Sequence, residues 1–334
     1  MANPVERRLV AMVGGDSLLA KEIRELLSED KPTPRVQLIS AAADGSTLLS
    51  LEDDDTAVLI PLSAESLEGA SVAFLAGSQA SSRRALKLNP AGGPVLIDLA
   101  GALEDQPQAR LRAPNVEPAR SPGNSDSVIQ VIAHPAAIAL AAVFSRVSSL
   151  GVIRRSLVHV FEPASERGQR GIQELQQQTV AILNFQKLQQ DVFDAQAAFN
   201  LLVRYGAEAL EPLEGVEQRV ERHLASLLAA WLGVPMPSLR LIQAPVFHGH
   251  SFSIWIEFDD APPVEAISSA LAGGGVDIHP DEPPTNVGIA GQSGVSVGAI
   301  AVDNNNARAV WLWAVADNLR IAAENAVAVA REIR

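Results

Sequence analysis

The chain of 334 residues contains no cysteine. This absence excludes disulfide bonds, a metal site built from thiolates and a catalytic thiol nucleophile. Covalent catalysis that depends on a thiolate is therefore closed to this protein.

Aromatic and basic residues are also scarce. Aromatic side chains make up 4% of the chain, and 26 Lys and Arg stand against 39 Asp and Glu, for a net charge of −13. No basic stripe that could neutralise phosphates occurs, so we expect no nucleic-acid partner. No apolar run approaches about 20 residues, and the opening MANPVERRLVAMVGG lacks the pattern of a secretory signal. We therefore expect no membrane span and a cytoplasmic location.

Short aliphatic runs are what the sequence has in quantity. Residues 9–13 form such a run, which ends in a glycine turn and is followed by leucines and an isoleucine at helical spacing. Strand, turn and helix in this order are typical of a βαβ unit. Similar runs recur at 36–40, 57–62, 72–75, 95–97 and 128–133. The pattern predicts an α/β fold with a parallel sheet covered on both faces, and residues 106–127, rich in Pro, Arg, Asn and Ser, as a surface connection.

The pattern changes near Pro135, where we place a domain boundary. Residues 250–258 alternate, with Phe252, Ile254, Ile256 and Phe258 on one face. This alternation predicts an antiparallel sheet that has one face packed and the other exposed or shared with a partner. Further strands are predicted at 152–161 and 238–245, and helices at 136–150, in the Gln-rich region 171–205, at 216–232 and toward the end of 311–333.

Four segments, in order along the chain, resemble the aspartate-semialdehyde dehydrogenase family. Residues 244–251 (APVFHGHS) resemble its histidine segment R-V-P-V-x-x-G-H-S, and residues 315–320 (VADNLR) resemble its terminal W-x-V-x-D-N-L-R-K-G segment. Residues 132–137 (IAHPAA) lie where the family carries its A-N-P-N-C nucleophile segment, and Gly14 opens the place of its G-A-T-G-x-V-G turn. A proteobacterial group named Usg, which carries the fold without the nucleophile, is similar to this chain.

The resemblance implies two domains of the semialdehyde dehydrogenase and glyceraldehyde-3-phosphate dehydrogenase type. A Rossmann-like dinucleotide-binding domain would comprise residues 1–133 and 315–334. A central α+β domain, residues 134–314, would carry the ancestral catalytic residues and form a homodimer.

The resemblance also places each element of the family's chemistry on a residue of this chain. The nucleophile position is Ala137, whose methyl group can neither ionise nor attack. The family's glutamine falls at Glu162, its substrate-clamping arginine at Gln243 and a phosphate-holding arginine at Glu104. Gln243 loses the charge and the fork of arginine, and Glu104 would repel a phosphate. His250, the acid/base position, is retained.

The implied nucleotide site is altered in the same way. Its positions are Gly14, Gly15, Asp16, Ser17 and, near the end of the chain, Asn318. Where the family has later glycines, which let the backbone approach a pyrophosphate, this chain has Ser17 and Ala20. Ser17 and Asp16 could simply cap the following helix, and Asp44 could accept from a ribose hydroxyl, which would favour NAD. We expect no cofactor, although ancestry implies NADP or NAD.

Two functions of different classes remain. The first is a non-catalytic homologue, a pseudoenzyme with a structural, binding or regulatory role toward an unidentified protein or small molecule. The second is a semialdehyde dehydrogenase-type oxidoreductase of aspartate-family amino-acid biosynthesis with residual or redirected NAD(P)-dependent activity, which the retained His250, Asn318 and Arg320 favour. Against it stand Ala137, Gln243 and Glu104, so we expect that the chain is not an enzyme.

Two sharper alternatives involve the retained histidine. His248 and His250 would point the same way on one strand and could bind a metal, but no further ligands accompany them at suitable spacing, so we expect no metal site. Glu162 and His250 could form a new acid/base couple. The plainer interpretation is that Glu162 is a tolerated isostere of glutamine in an idle site.

Overall fold

The computed structural model describes residues 8–42, 47–50, 56–118, 128–231, 233–260 and 262–333. Asp44 lies outside them. Backbone contacts divide the chain into two compact units, residues 1–133 with 322–334 and residues 134–321. The sequence predicts the second boundary at residue 315, whereas the contacts place it inside the last helix at residue 322. No helix in the described parts of the chain is long and apolar enough to cross a membrane.

The first unit is built on a six-stranded parallel sheet in the order β2-β1-β5-β6-β8-β7. Its strands are β1 (Leu9–Val13), β2 (Arg35–Ile39), β5 (Val72–Leu75), β6 (Val95–Asp98), β7 (Ala109–Arg112) and β8 (Ile129–Ile132), with a separate hairpin of β3 (Thr47–Ser50) and β4 (Thr56–Leu59). The helices are α1 (Leu18–Ser28), α2 (Ala64–Leu67) and α3 (Gln79–Leu88). Every residue of β5 and β8 is buried. Since successive strand residues face opposite sides, both faces are covered, which confirms the predicted parallel α/β sheet.

The predicted surface connection at 106–127 is wrong in part, because β7 lies within it and forms an edge of the sheet. The run is short and carries two arginines, which hide its strand character. Arg112 is nevertheless buried, with ion pairs from its Nε to Glu117 (3.2 Å) and its Nη2 to Glu332 (2.8 Å). Charged residues can be buried when they are paired in this way. Residues 119–127 lie outside the described part of the chain.

The second unit is built on a six-stranded sheet in the order β10-β9-β11-β14-β13-β12. Its strands are β9 (Ile153–Glu162), β10 (Ser238–Gln243), β11 (His250–Phe258), β12 (Val276–His279), β13 (Val295–Asp303) and β14 (Asn306–Ala316). The helices are α4 (Pro135–Val147), α5 (Gly168–Leu183), α6 (Leu213–Leu228), α7 (Val264–Leu271), α8 (Asn286–Ile289) and α9 (Asn318–Glu332), the last of which ends in the first unit. The sequence predicts an antiparallel sheet, but the observed sheet is mixed. Strands β9 and β10 pair in parallel, and so do β12 and β13. Long crossover connections separate these pairs, which parallel pairing requires.

Alternation along β11 decides which face of this sheet is covered. Phe252, Ile254, Ile256 and Phe258 are fully buried, as predicted. On the opposite face Trp255 is only half-buried, and its neighbours from the adjoining strands are similarly open. One face therefore forms the core of the unit and the other remains partly uncovered.

The Gln-rich region 171–205, for which helices are predicted, is helical only in its first part. Helix α5 ends at Leu183, and the following residues to 212 form turns and irregular backbone. Phe185 and Phe199 have positive φ values of 55° and 62°, which a helix cannot contain. The buried side chains of Glu174 and Gln178 hold this segment by accepting from its backbone N–H groups. Tertiary hydrogen bonds thus outweigh the helical composition.

Candidate functional site

Strand register brings three of the predicted site residues into one row. In the antiparallel pair of β9 and β11, Ser251 lies opposite Phe161, so the next position places His250 beside Glu162. On the other side of β9, Gln243 of β10 lies opposite Glu162. Side chains directly opposite each other on neighbouring strands share a face and lie about 4.5–5.5 Å apart at Cβ. All three are at most 1% exposed, so the row is sealed within the covered face of the second unit.

An arginine from the turn after β9 forms an ion pair with Glu162, the middle residue of this row. Arg167 ends the 3₁₀ turn Ala164–Arg167, and its Nη2 donates to Glu162 Oε1 at 2.7 Å. Its Nη1 lies 3.2 Å from Glu211 Oε2, and the guanidinium carbon lies 5.6 Å above the ring of Tyr205. Burial alone would lower the pKa of Arg167, but Glu162, Tyr205 and Glu211 raise it above its ordinary value. The cation is thus paired with two carboxylates of its own chain, while its buried Nε has no hydrogen-bond partner among the described residues.

Glu162 is a carboxyl group with an unusual environment. Burial raises its pKa from 4.5 to about 7, and the nearby Arg167 only partly offsets this effect. One oxygen accepts from Arg167, while the other, Oε2, has no hydrogen-bond partner in the described part of the chain. Near neutral pH the group is therefore poised between its charged and neutral forms.

His250 lies against a second histidine and a second glutamate. Its ring centroid is 5.7 Å from that of His134, and its Nε2 is 3.9 Å from Glu166 Oε1. His134 caps α4 by accepting from the Ala136 N–H at its Nδ1, and its Nε2 lies 3.5 Å from Glu166 Oε2. Burial lowers the pKa of His250 to about 4 and the pKa of His134 well below 6.5, so both rings are neutral at pH 7. Neither ring nitrogen of His250 has a hydrogen-bond partner among the described residues.

The side chain of Gln243 forms its hydrogen bonds with other groups of the protein. Its Nε2 donates to the carbonyl oxygens of Glu162 (2.9 Å) and Ala244 (2.8 Å), and its Oε1 accepts from the hydroxyl of Tyr205 at 2.6 Å. Both amide hydrogens and the oxygen are thereby engaged. The residue at the family's arginine position acts here as a brace between β10, β9 and the segment that carries Tyr205.

Asn318, predicted as a cofactor residue, supports the strand that carries His250. Its Oδ1 accepts from the hydroxyl of Ser165 (3.0 Å) and from the N–H of Gly249 (3.2 Å). Its Nδ2 donates to Glu166 Oε1 at 2.9 Å. The side chain thus ties the turn after β9 to the start of β11, a structural use that accounts for its presence.

The remaining predicted site residues lie on other elements of the chain. Ala137 is fully buried in the first turn of α4, which follows His134 in the second unit. Glu104 lies in a turn of the first unit.

The predicted nucleotide turn, also in the first unit, is shaped by close packing. Gly14 has φ +81°, and a Cβ there would lie 2.5 Å from the Cα of Gly77. Gly15 lies close to Leu38, whose Cβ would be 3.0 Å from an added Cβ. Ser17 caps α1 by accepting from the Ala20 N–H, which confirms the capping interpretation for this residue, whereas Asp16 is exposed. Close packing therefore accounts for glycine at both positions without a nucleotide.

The predicted orientation of a histidine metal pair is wrong. Strand β11 begins at His250, and Gly249 before it has φ +79°, so His248 lies outside the strand and the two rings do not share its face. Within the described ranges, no group of three or more His, Asp or Glu side chains is arranged to hold a metal ion.

Sequence reasoning missed several members of the cluster. Tyr205, Glu211 and Arg219 come from separate places in the chain and belong to no motif, whereas His134 lies in the 132–137 segment but was given no role there. The only available signals were that Tyr205 is the single tyrosine of the chain and that His134 directly precedes the Pro135 that opens a helix.

Residues 147–321 match the family model described as semialdehyde dehydrogenase, dimerisation domain. The parallel sheet and this mixed sheet therefore define a protein of the semialdehyde dehydrogenase class.

Individual relatives narrow the class. The chain is 32% identical over 326 residues to a USG-1 protein homolog of Azotobacter vinelandii, with 93% of each chain covered. It is 31% identical to a USG-1 protein homolog of Pseudomonas aeruginosa, with 95% of each covered. The structure of a probable aspartate-semialdehyde dehydrogenase from P. aeruginosa superposes with a TM-score of 0.84 and 27% identity over 98% of each chain. The chain belongs to the aspartate-semialdehyde dehydrogenase family, among its Usg-type homologues, and has no cysteine.

Proposed function

We propose that this chain is a non-catalytic member of its family, with a binding or regulatory role. The observation that carries the proposal is that the chain has no cysteine, so no thiolate can form the covalent intermediate on which the family's chemistry depends. Ala137 stands at the position that the resemblance assigns to the nucleophile.

The charges of the site support the same proposal. An anionic substrate needs a cation that is free to bind it, and bidentate arginine is the usual solution. Here Gln243 stands at the predicted arginine position and is fully engaged, while Arg167 is paired with Glu162 and Glu211. Glu162 and Glu166 would repel a carboxylate or a phosphate. The site therefore offers an anion no free cationic group, and it contains carboxyl groups that repel one.

We further propose that no nicotinamide cofactor is required. A related structure, the aspartate-semialdehyde dehydrogenase of Candida albicans, was determined with NADP, so ancestry makes NADP the nucleotide to test. In this chain Asn318 is engaged by Ser165, Gly249 and Glu166, and Ser17 caps α1. Both side chains already have hydrogen-bond partners within the chain, so neither needs a cofactor as its partner.

Titration with NADP, NAD and their reduced forms tests this proposal. We expect no saturable binding by calorimetry up to millimolar nucleotide. We also expect that Ala137→Cys yields no NADP-dependent oxidation of aspartate semialdehyde, because the arginine of the site remains paired internally. Micromolar binding of a nucleotide by the unmodified protein, or turnover by Ala137→Cys, would overturn the proposal, and a bona fide aspartate-semialdehyde dehydrogenase serves as the positive control.

The protein is proposed to act as a homodimer through the open face of the second sheet. Trp311 is 38% exposed on this face, and Trp255 and Trp313 beside it are half-buried. The indole N–H groups of Trp255 and Trp311 both donate to Asp303, which fixes the rings as a flat apolar surface. Aromatic surfaces of this kind are enriched in interfaces. The family model that matches this unit is itself described as a dimerisation domain.

Trp311→Lys should shift the protein from dimer to monomer. A lysine there can pair with Asp303, so the fold is retained, but a charge is introduced into the proposed apolar contact. We expect the association to weaken by about 2 kcal/mol or more, measured by sedimentation or light scattering. Val287→Lys, on an 89% exposed side chain of α8, is the control and should leave the mass unchanged. A monomeric unmodified protein, or a dimeric Trp311→Lys, would contradict the assignment.

A further inference from the structure

One histidine lies on the open face of the second sheet, the face proposed above as the dimer contact. Residues alternate along β9, and its buried positions Ser156, Val158 and Val160 belong to the covered face. His159 therefore points to the opposite side, where it is half-buried. Within the described part of the chain its ring forms no hydrogen bond and no ion pair. A titratable group without a partner thus lies in a surface that a second copy would cover.

The neighbours of His159 on this face offer its ring no negative charge. Arg240 lies opposite it on β10, and Ser253 lies opposite it on β11. The flanking residues of β9 that share its face are the apolar Leu157 and Phe161. The charged member of this set is a cation, so a proton on His159 would be repelled and not stabilised.

Three carboxylates beside this face already have partners in the chain. Glu217 of α6 pairs with Arg240 and accepts from the N–H of Leu241. Glu257 pairs with two arginines, and Asp303 accepts from two indole N–H groups. A second copy presents the same groups with the same partners. These carboxylates therefore need no protonated histidine from across the contact.

We propose that His159 makes the association of two copies depend on pH, with the dimer favoured while this ring is neutral. The inference rests on the proposed dimer and adds a regulatory property to it. In a separate protomer the half-buried ring reaches water and can take up a proton, which a histidine ordinarily does at about pH 6.5. In the dimer the ring is covered, and desolvation together with Arg240 disfavours the charged form. Association therefore releases protons at acidic pH and weakens as the pH falls.

The net charge of the chain predicts the opposite trend, so the sign of the effect separates the two causes. The chain carries a net charge of −13 at pH 7, and like-charged copies repel each other. Acidification reduces this charge, which by itself would strengthen association. With one proton released per copy, the dissociation constant of the dimer rises by up to about a hundredfold per pH unit below about pH 6.

Sedimentation equilibrium of the unmodified protein at two pH values and one ionic strength measures the effect. We expect a dimer at about pH 7.5 whose dissociation constant rises by at least about tenfold at about pH 5.5. An unchanged or smaller dissociation constant at the lower pH would overturn the role of His159 and leave the dimer in place. A monomer at both pH values would refute the proposed dimer, and the role of His159 with it.

Two variants assign the effect to this ring. His159→Gln keeps a polar side chain that cannot take up a proton, so its dissociation constant should agree within about threefold at the two pH values. A dimer of this variant at the lower pH also shows that the fold survives there. The matched control is His248→Gln, because His248 is half-buried but lies outside the strands of the sheet. It should keep the full pH dependence. A pH dependence that persists in His159→Gln, or disappears in His248→Gln, would refute the assignment to His159.

Discussion

Arg167→Met should lower the free energy of unfolding by roughly 3–5 kcal/mol at neutral to alkaline pH. Methionine keeps the length of the side chain, but Glu162 loses the cation that lies 2.7 Å from its Oε1. Breaking a buried ion pair from one side is costly, because the remaining charge has neither water nor a partner. Urea unfolding followed by circular dichroism measures the difference. Arg240→Met is the control: its side chain is 60% exposed beside Glu217, and it should cost less than about 1 kcal/mol.

The cost of Arg167→Met should depend on pH in a defined direction. The pKa of Glu162 is raised in the folded protein to about 7, above its ordinary 4.5, so the folded state binds a proton more readily than the unfolded state. The contribution of this group to stability is therefore greatest at low pH and is lost as pH rises from about 4.5 to 7. Removal of Arg167 raises the pKa of Glu162 further. The variant should thus suffer less at about pH 5.5, where Glu162 is neutral, than at about pH 8.

A double variant separates the charge effect from loss of packing. Glu162→Gln combined with Arg167→Met removes both charges, so most of the loss should be recovered. A double variant as unstable as Arg167→Met would show that the arginine acts through its contact with Tyr205 instead.

The sequence allowed the framework of the fold to be predicted where local pattern and tertiary environment agree. Strand β5 was predicted at its observed bounds, because a fully buried parallel strand is a continuous apolar run. The bounds of β11 were predicted from its alternation of apolar and polar residues, because only one face of this strand packs into the core. Strand β7 was missed, since its buried Arg112 is paired with a residue as distant in sequence as Glu332. No local pattern contains that contact.

The candidate site, like the fold, was predictable from the sequence only in part. The resemblance implied one cleft for Glu162 and His250, and the strand register lays these two residues and Gln243 in one row. The partners of these residues were not predictable. Tyr205 reaches Gln243 from irregular backbone whose course is set by tertiary hydrogen bonds and not by composition. The ion pairs of Arg167 with Glu162 and Glu211 could be identified only once these side chains were in place.

Gln178→Leu should destabilise the protein by more than about 3 kcal/mol, because this one side chain holds much of the irregular segment that follows α5. Gln178 is fully buried, and its Nε2 donates to the carbonyl oxygens of Gln189 (2.8 Å) and Ala195 (3.0 Å). Its Oε1 accepts from the N–H groups of Ala197 (2.8 Å) and Ala198 (3.1 Å). Leucine is similar in size and at least as good a helix former, so the change removes the hydrogen bonds without breaking the helix.

The cost is large because the groups left behind are backbone groups in the interior. Two carbonyl oxygens and two N–H groups lose their partner together, and each buried group without one is unfavourable. Gln177→Leu, on the exposed neighbour in α5, controls for helix composition and should change stability by less than about 0.5 kcal/mol. Unfolding measures both variants, and limited proteolysis should cut Gln178→Leu first within residues 184–212. Equal stability of the two variants would mean that Phe193 and Tyr205, whose rings pack 5.3 Å apart, hold the segment without the glutamine.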